Sequence, residues 1–416
     1  MLPIGRSEAR AAGGDPVAAR LHVVTVLAGA ILAACHPAGA PTRTVDAFAP
    51  IRAPGGSPDD LALAVSDPDE YAWRLFFFIN RQAGPGAAGL ADPGRTIRQY
   101  DPDAPVVWET WALVSGIARS QVGSEVFRPD GASPGLWTAL PRSPSPAKLL
   151  GSSLTEPDDP PSKENRINRA GYEFIVRQGL YSRQGLQRLY AQAVALKRPD
   201  LIQFPAAAQE VKAEWEDLGP APAPAKLSRY HWRRIGDHYW GLIALHLATK
   251  DLTDWVWADF EHMDEPAPPG DPPQDTTTRT DHGSAAPAKG AVEGERRELT
   301  GTKWAYYRLR GVQVSFTDAR GDPTRLSSGV IEAGFERSSC MTCHARATMR
   351  FEGGRLTHLR PDPIHVAGGT PSTSIADGLN ADLGAPSPAL FGADGLRFVQ
   401  TDFVWSISER AQPTRR

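Results

Sequence analysis

Five consecutive residues, Cys340-Met341-Thr342-Cys343-His344, gather the groups that attachment of a c-type haem requires. Two thiols three residues apart on one helical turn can each add across a vinyl group of the macrocycle. The adjacent imidazole then sits under the iron as its proximal ligand. The spacing follows from the chemistry, because two covalent anchors and one axial ligand must reach a single rigid ring. Three other chemistries fit the run less well. A zinc knuckle needs two further ligands, usually a second Cys/His pair, and no other cysteine pair exists in the chain. A thioredoxin-like dithiol expects a strand and a βαβ context, whereas Ser338 and Ser339 precede Cys340. A disulfide between residues three apart is sterically poor. One covalent haem c is the expectation, with Cys340 and Cys343 as anchors and His344 on the iron.

Function then depends on the other side of the iron. A small soluble cytochrome c carries its haem motif near the N-terminus and supplies a distal Met some tens of residues later. Here Met349 is the one Met after His344, too close in sequence to cross the ring. His246 is the first distal candidate, because it sits in the apolar run LIALHLA, where a buried imidazole needs a partner. A core histidine bonded to a backbone carbonyl is the bland reading of the same residue. His262 and Met263 come next, in a polar setting that reads as a surface or cleft edge. His358 and His365 lie on the loop after the motif, and nothing recommends His231, His238 or His282. Glu109 and Glu261, each among aromatics, need partners: pairing with an Arg or Lys, Lys212 and Lys250 among them, is the first reading and an acid/base role the second. Trp73, Trp108, Trp111, Trp255, Trp257 and Trp304 read first as core-filling side chains and second as the lining of a haem pocket or electron path.

The third cysteine supplies an address. Arg6, Arg10 and Arg20 form a basic region, Leu21 to Ala34 an apolar one, and small residues precede Cys35. That pattern is a secretory signal over residues 1–34, and its apolar run is too short to span a bilayer as a mature helix. Leu32-Ala33-Ala34-Cys35 also resembles a lipobox, in which Cys35 is the lipidated N-terminus of the mature chain and lipid its attachment to a membrane; an ordinary signal peptide that ends near a cysteine is the bland reading. Residues 35–66 are Pro-, Ala- and Gly-rich, as expected of a flexible tether. Export agrees with the motif, since haem is attached to Cys-x-x-Cys-His outside the bacterial cytoplasm. With 3 Cys in 416 residues there is no disulfide framework, and a core built from 41% hydrophobic residues and 11 Trp must hold the fold. The net charge of −3 argues against nucleic acid as a partner.

The elements that must hold the motif read as one α+β domain over 67–416. Ser66-Asp67-Pro68-Asp69-Glu70 opens a buried helix, and Ser182 to Lys197 reads as an amphipathic one. Antiparallel strands are expected between about 209 and 316. Val211, Ala213 and Trp215 alternate with charged residues, YWGLIALHLAT (239–249) is apolar on both faces, WVWADFEHM (255–263) is aromatic, and WAYYRLRGVQVSF (304–316) alternates. Residues 128–170 and 352–396 read as loop, and about 265–300 as a disordered insertion. The haem-binding region, about 325–416, is expected to be helix and loop, with one helix over Ser327–Arg337 and another over Asp402–Arg410.

The stretches AWRLFFFIN, VVWETWAL, EVKAEW, GLIALHLATK, WVWADFEHMD, SSCMTCHARA and DFVWS resemble a family of bacterial exported proteins that carry a single C-terminal c-type haem motif. The resemblance runs through nearly the whole mature chain, and SSCMTCHARA is its most specific part. It implies one haem and a periplasmic or membrane-anchored location, and it brings no reaction with it. Three functions stay open. The first is a lipid-tethered electron carrier that serves a redox partner in the cell envelope. The second is a haem enzyme or small-ligand binder with an open distal site, suggested by the size of the upstream region. The third is an envelope-binding protein in which the haem is secondary.

Overall fold

Asp67 caps a helix through its carboxylate, which accepts from the Glu70 backbone N–H, and Pro68 sets the first helical φ. The computed structural model describes residues 58–84, 87–102, 104–113, 163–235, 237–265, 299–328, 330–331, 339–359, 383–392 and 397–410. The signal over 1–34, Cys35, the tether up to residue 57, the insertion from 266 to 298, His282 and His365 lie outside these residues. The last part of the expected tether is helical: α1 spans Pro58–Ser66 and runs up to α2, Pro68–Ile79. Nearly all of α2 from Tyr71 onward is buried, as its apolar circumference predicts. A short hairpin, β1 (Ala83–Gly84) and β2 (Ala87–Ala91), follows it.

A seven-stranded antiparallel sheet forms the centre. Its strands are β3 (Ala112–Leu113), β4 (Lys163–Ile167), β5 (Gln209–Gly219), β6 (Trp232–Ile235), β7 (His238–Thr249), β8 (Val256–His262) and β9 (Tyr307–Gln313). The order across the sheet is β3-β4-β5-β7-β8-β9, with β6 also paired to β7. Between β4 and β5 lie α3 (Arg169–Gln178) and α4 (Arg183–Leu196), the latter capped by Ser182. The four-residue α5 (Pro224–Leu227) follows β5.

Each face of the sheet buries a different core. Val211, Ala213, Leu245, Leu247, Ala258, Phe260, Leu309 and Val312 pack with α2. Phe76 stacks on Phe260 with ring centroids 4.5 Å apart, and Trp73 meets the same ring edge-on at 5.0 Å. On the opposite face Ile167, Ala248 and Trp257 join α3, α4 and the C-terminal segment. That segment contains α6 (Cys340–His344), a three-stranded antiparallel sheet of β10 (Thr348–Glu352), β11 (Arg355–Thr357) and β12 (Val399–Gln400), and α7 (Trp405–Arg410). Among the described residues no helix is long and apolar enough to cross a membrane.

The α+β class stands, with the strands reaching beyond 209–316 on both sides. β3 and β4 precede that interval, β4 within a stretch expected to be loop, and β10 to β12 follow it. The described part of the helix expected over Ser327–Arg337 is not helical. There the Ser328 hydroxyl accepts from the Ile331 N–H at 3.1 Å and reaches toward Glu261. The closing helix begins at Trp405 rather than Asp402, because Asp402 and Phe403 both have positive φ, +52° and +69°.

Candidate haem-attachment site

The motif folds as a single helical stretch because Ser339 caps it, its hydroxyl accepting from the Thr342 N–H at 3.2 Å. Gln313, the last residue of β9, anchors that end to the sheet. Its Nε2 donates to the Ser339 hydroxyl at 2.8 Å, and its Oε1 accepts from the Met341 N–H at 3.0 Å. The Cys340 N–H bonds the Leu326 carbonyl at 2.8 Å. Met341 is wholly buried, Cys340 is buried and Cys343 half-buried. Neither thiol of the motif is in a disulfide. Helical spacing places Cys343 and His344 three and four residues after Cys340, on one side of the turn.

His344 is oriented from its far nitrogen. Its Nδ1 lies 2.8 Å from the Phe403 carbonyl oxygen, which can only accept, so Nδ1 carries the hydrogen and the metal-binding lone pair falls on Nε2. Trp257, on β8, lies against the imidazole with ring centroids 4.4 Å apart.

His246 lies on β7, on the sheet face that carries Trp257. The two rings are 6.1 Å apart, so the imidazoles of His246 and His344 lie within about 10.5 Å of one another. His246 is 8% exposed. Its partner is a carboxylate rather than the backbone carbonyl of the bland reading: Nδ1 lies 3.4 Å from Oδ1 of Asp259, the residue opposite it on β8. Asp259 is fully buried, and its Oδ2 has no hydrogen-bond partner among the described residues. An imidazole held at one nitrogen by a carboxylate or carbonyl is the usual arrangement of a metal-ligating histidine. Both His344 and His246 have it.

The other candidates go elsewhere. His262 is wholly buried, not at a surface or cleft edge. It stacks on Tyr230 at 3.8 Å, its Nε2 faces the Arg229 carbonyl and its Nδ1 accepts from the Asp264 N–H. Burial pushes its pKa down to about 4. Met263 follows it and pairs through its backbone with Tyr306. His358 bonds the Leu359 carbonyl and meets Trp405 edge-on. Met349 is buried in β10. Among the described residues no three or more His, Cys, Asp or Glu converge as a bare metal ion would need. The six singled-out tryptophans are all buried, and Trp257 contacts the motif histidine.

Glu109 and Glu261 are paired with arginines, within the expectation of an Arg or Lys partner. Glu261 faces Arg308 and Arg310 at 3.5 and 3.3 Å. Glu109 is bonded by Arg233 and by Nε2 of His231 at 3.1 Å, and Lys303 bonds Nδ1 of the same ring at 2.8 Å. Burial alone would raise the Glu109 pKa, but Arg233 and His231 hold it well below the usual carboxylate range. His231, set aside in the sequence, is therefore the hinge of a buried charged network. The only sign of it in the sequence is a histidine beside an aromatic residue, which is too common to single out.

No family profile, curated protein or solved structure matches the chain.

Proposed function

We propose that the chain is a monohaem c-type cytochrome, exported and tethered through lipid on Cys35, that exchanges electrons with a redox partner in the cell envelope. The observation that carries this reading is the His344 Nδ1–Phe403 carbonyl bond, which turns the nitrogen expected on the iron toward that role. The remaining residues suit the group. Cys340 and Cys343 stand on the same turn outside any disulfide, and the helix is fastened to the sheet through Gln313. Haem c, when bound, would supply a one-electron iron couple. The protein would hold the macrocycle at Cys340 and Cys343, orient His344, and shield the site with Trp257 and Met341. His246, oriented by Asp259, is the proposed sixth ligand.

A second reading keeps the haem and leaves the distal side to a small ligand. The buried, unpartnered Oδ2 of Asp259 beside His246 favours it, because such a carboxylate suits a polar distal pocket.

Visible spectra of the full chain matured in a haem-c-competent host separate these readings. A covalent haem band with a low-spin reduced spectrum insensitive to carbon monoxide supports electron transfer with a protein sixth ligand. His246→Ala should then become high-spin and bind carbon monoxide. A wild-type spectrum that already shifts with carbon monoxide supports the open distal site. Absence of a covalent band in the wild type, with the chain folded, refutes both.

A further inference from the structure

We propose that the buried Lys250–Asp402 pair is a positioning device for the proximal histidine, acting through the carbonyl of Phe403. The inference rests on the haem reading above.

Asp402 and Phe403 occupy the left-handed region in succession, φ +52° and +69°. Side chains with a Cβ rarely adopt it, and two such residues in a row stay there only when their surroundings hold them. The second residue of this turn presents the oxygen that faces His344 Nδ1 at 2.8 Å. The unusual backbone and the orientation of the imidazole are thus the same feature.

The hold comes from the end of β7. Lys250 Nζ donates to Asp402 Oδ1 at 2.6 Å and to the Thr253 carbonyl at 2.5 Å. The Phe204 N–H donates to the other carboxylate oxygen, Oδ2, at 2.6 Å. Lys250 and Asp402 are 6% and 4% exposed. On the motif side the Thr401 N–H bonds the Ala347 carbonyl at 2.9 Å, three residues past His344. The strained turn is therefore fastened at one end to the sheet and at the other to the haem-motif segment. A buried ion pair is a poor source of stability compared with apolar packing, but it fixes a geometry well. Here it fixes the one carbonyl that sets the His344 tautomer.

Accepting a hydrogen bond from Nδ1–H makes Nε2 a stronger donor and favours the ferric state. Releasing Phe403 should weaken that bond and favour the ferrous state. The test uses the full chain matured with haem, in wild type, Lys250→Met, Asp402→Asn and Lys250→Arg. The readouts are covalent haem content, reduction potential and the exchange rate of the His344 Nδ1–H measured by NMR.

Lys250→Met and Asp402→Asn are expected to keep covalent haem and to move the ferric–ferrous equilibrium about tenfold toward ferrous, about 59 mV for a one-electron couple. Their Nδ1–H should exchange faster. Lys250→Arg, which keeps the charge, should stay near the wild-type potential. Asp402→Asn keeps the size of the side chain and its acceptor for the Phe204 N–H, and so guards against loss of folding in Lys250→Met. Folded Lys250→Met and Asp402→Asn proteins with wild-type potential and exchange, altered only in melting temperature, would overturn the inference and leave the haem reading standing. A wild-type chain without covalent haem overturns the haem reading and this inference with it.

Discussion

Acidification should weaken the fold through His231, and His231→Gln should remove that part of the loss. The ring is fully buried, stacked on Trp304 at 4.9 Å, with Glu109 on one nitrogen and Lys303 on the other. Burial, together with Lys303 and Arg233, pushes its pKa down to about 3, from 6.5 in an unfolded chain. The pKa is lower in the folded state, so below pH 6.5 the unfolded chain takes up a proton that the folded chain refuses. Stability is intact above 6.5 and falls as pH drops toward 3, by ~1.4 kcal/mol per unit. Between pH 7 and pH 5 this amounts to about 2 kcal/mol. Glutamine can accept from Lys303 and donate to Glu109 but does not titrate. Urea unfolding of wild type and His231→Gln at pH 7, 6 and 5 isolates the contribution, because His262, depressed to about 4 by burial, titrates in both proteins. The wild type should lose about 2 kcal/mol more than the variant over this range. Stability curves that run parallel from pH 7 to 5 would refute the reasoning, since the buried ring would then accept a proton at no greater cost than the unfolded chain.

Two substitutions test the packing that supports the site. A Cβ at Gly185, in the first turn of α4, would lie 1.9 Å from the Gly179 carbonyl oxygen, so Gly185→Ala should cost about 2 kcal/mol, read as a lower urea midpoint; an unchanged midpoint would mean that α3 and α4 are not so closely joined. Phe76→Ala removes the ring stacked on Phe260 and should cost about 3–5 kcal/mol by the same assay, while a loss below about 1 kcal/mol would show that α2 does not pack on the sheet this way.

The features legible in the sequence are those whose cause is local. The start of α2 is encoded by Asp67, Pro68 and Glu70 within one turn. α4 lies where its apolar spacing and Ser182 cap place it, with Leu186, Leu189 and Ala193 buried and the last residue, Leu196, 56% exposed. β7 coincides with the continuous apolar run at 239–249, and its central position in the sheet explains why neither face needed polar residues throughout. The Cys-x-x-Cys-His run is complete in five adjacent residues, and the expectation of a haem with His344 on its iron rests on those residues. The described part of the helix expected over Ser327–Arg337 is not helical, and there the Ser328 hydroxyl turns toward Glu261 of β8, a neighbour 67 positions away.

What the residues meet is a matter of tertiary structure. The oxygen that orients His344 belongs to Phe403, 59 positions away in the chain, and Asp402 takes Lys250 from 152 positions away. His246 meets Asp259 only because β7 and β8 pair in the register that sets them opposite each other. A one-residue slip would turn both side chains to the other face. Lys250 looked available to a glutamate and went to Asp402, while Glu109 and Glu261 took arginines brought in by other strands. Spacing, capping and apolar period act over a few residues and can be read from the chain. Strand register and buried charge pairing are settled only when distant segments come into contact, because the free energy that selects them arises from that contact.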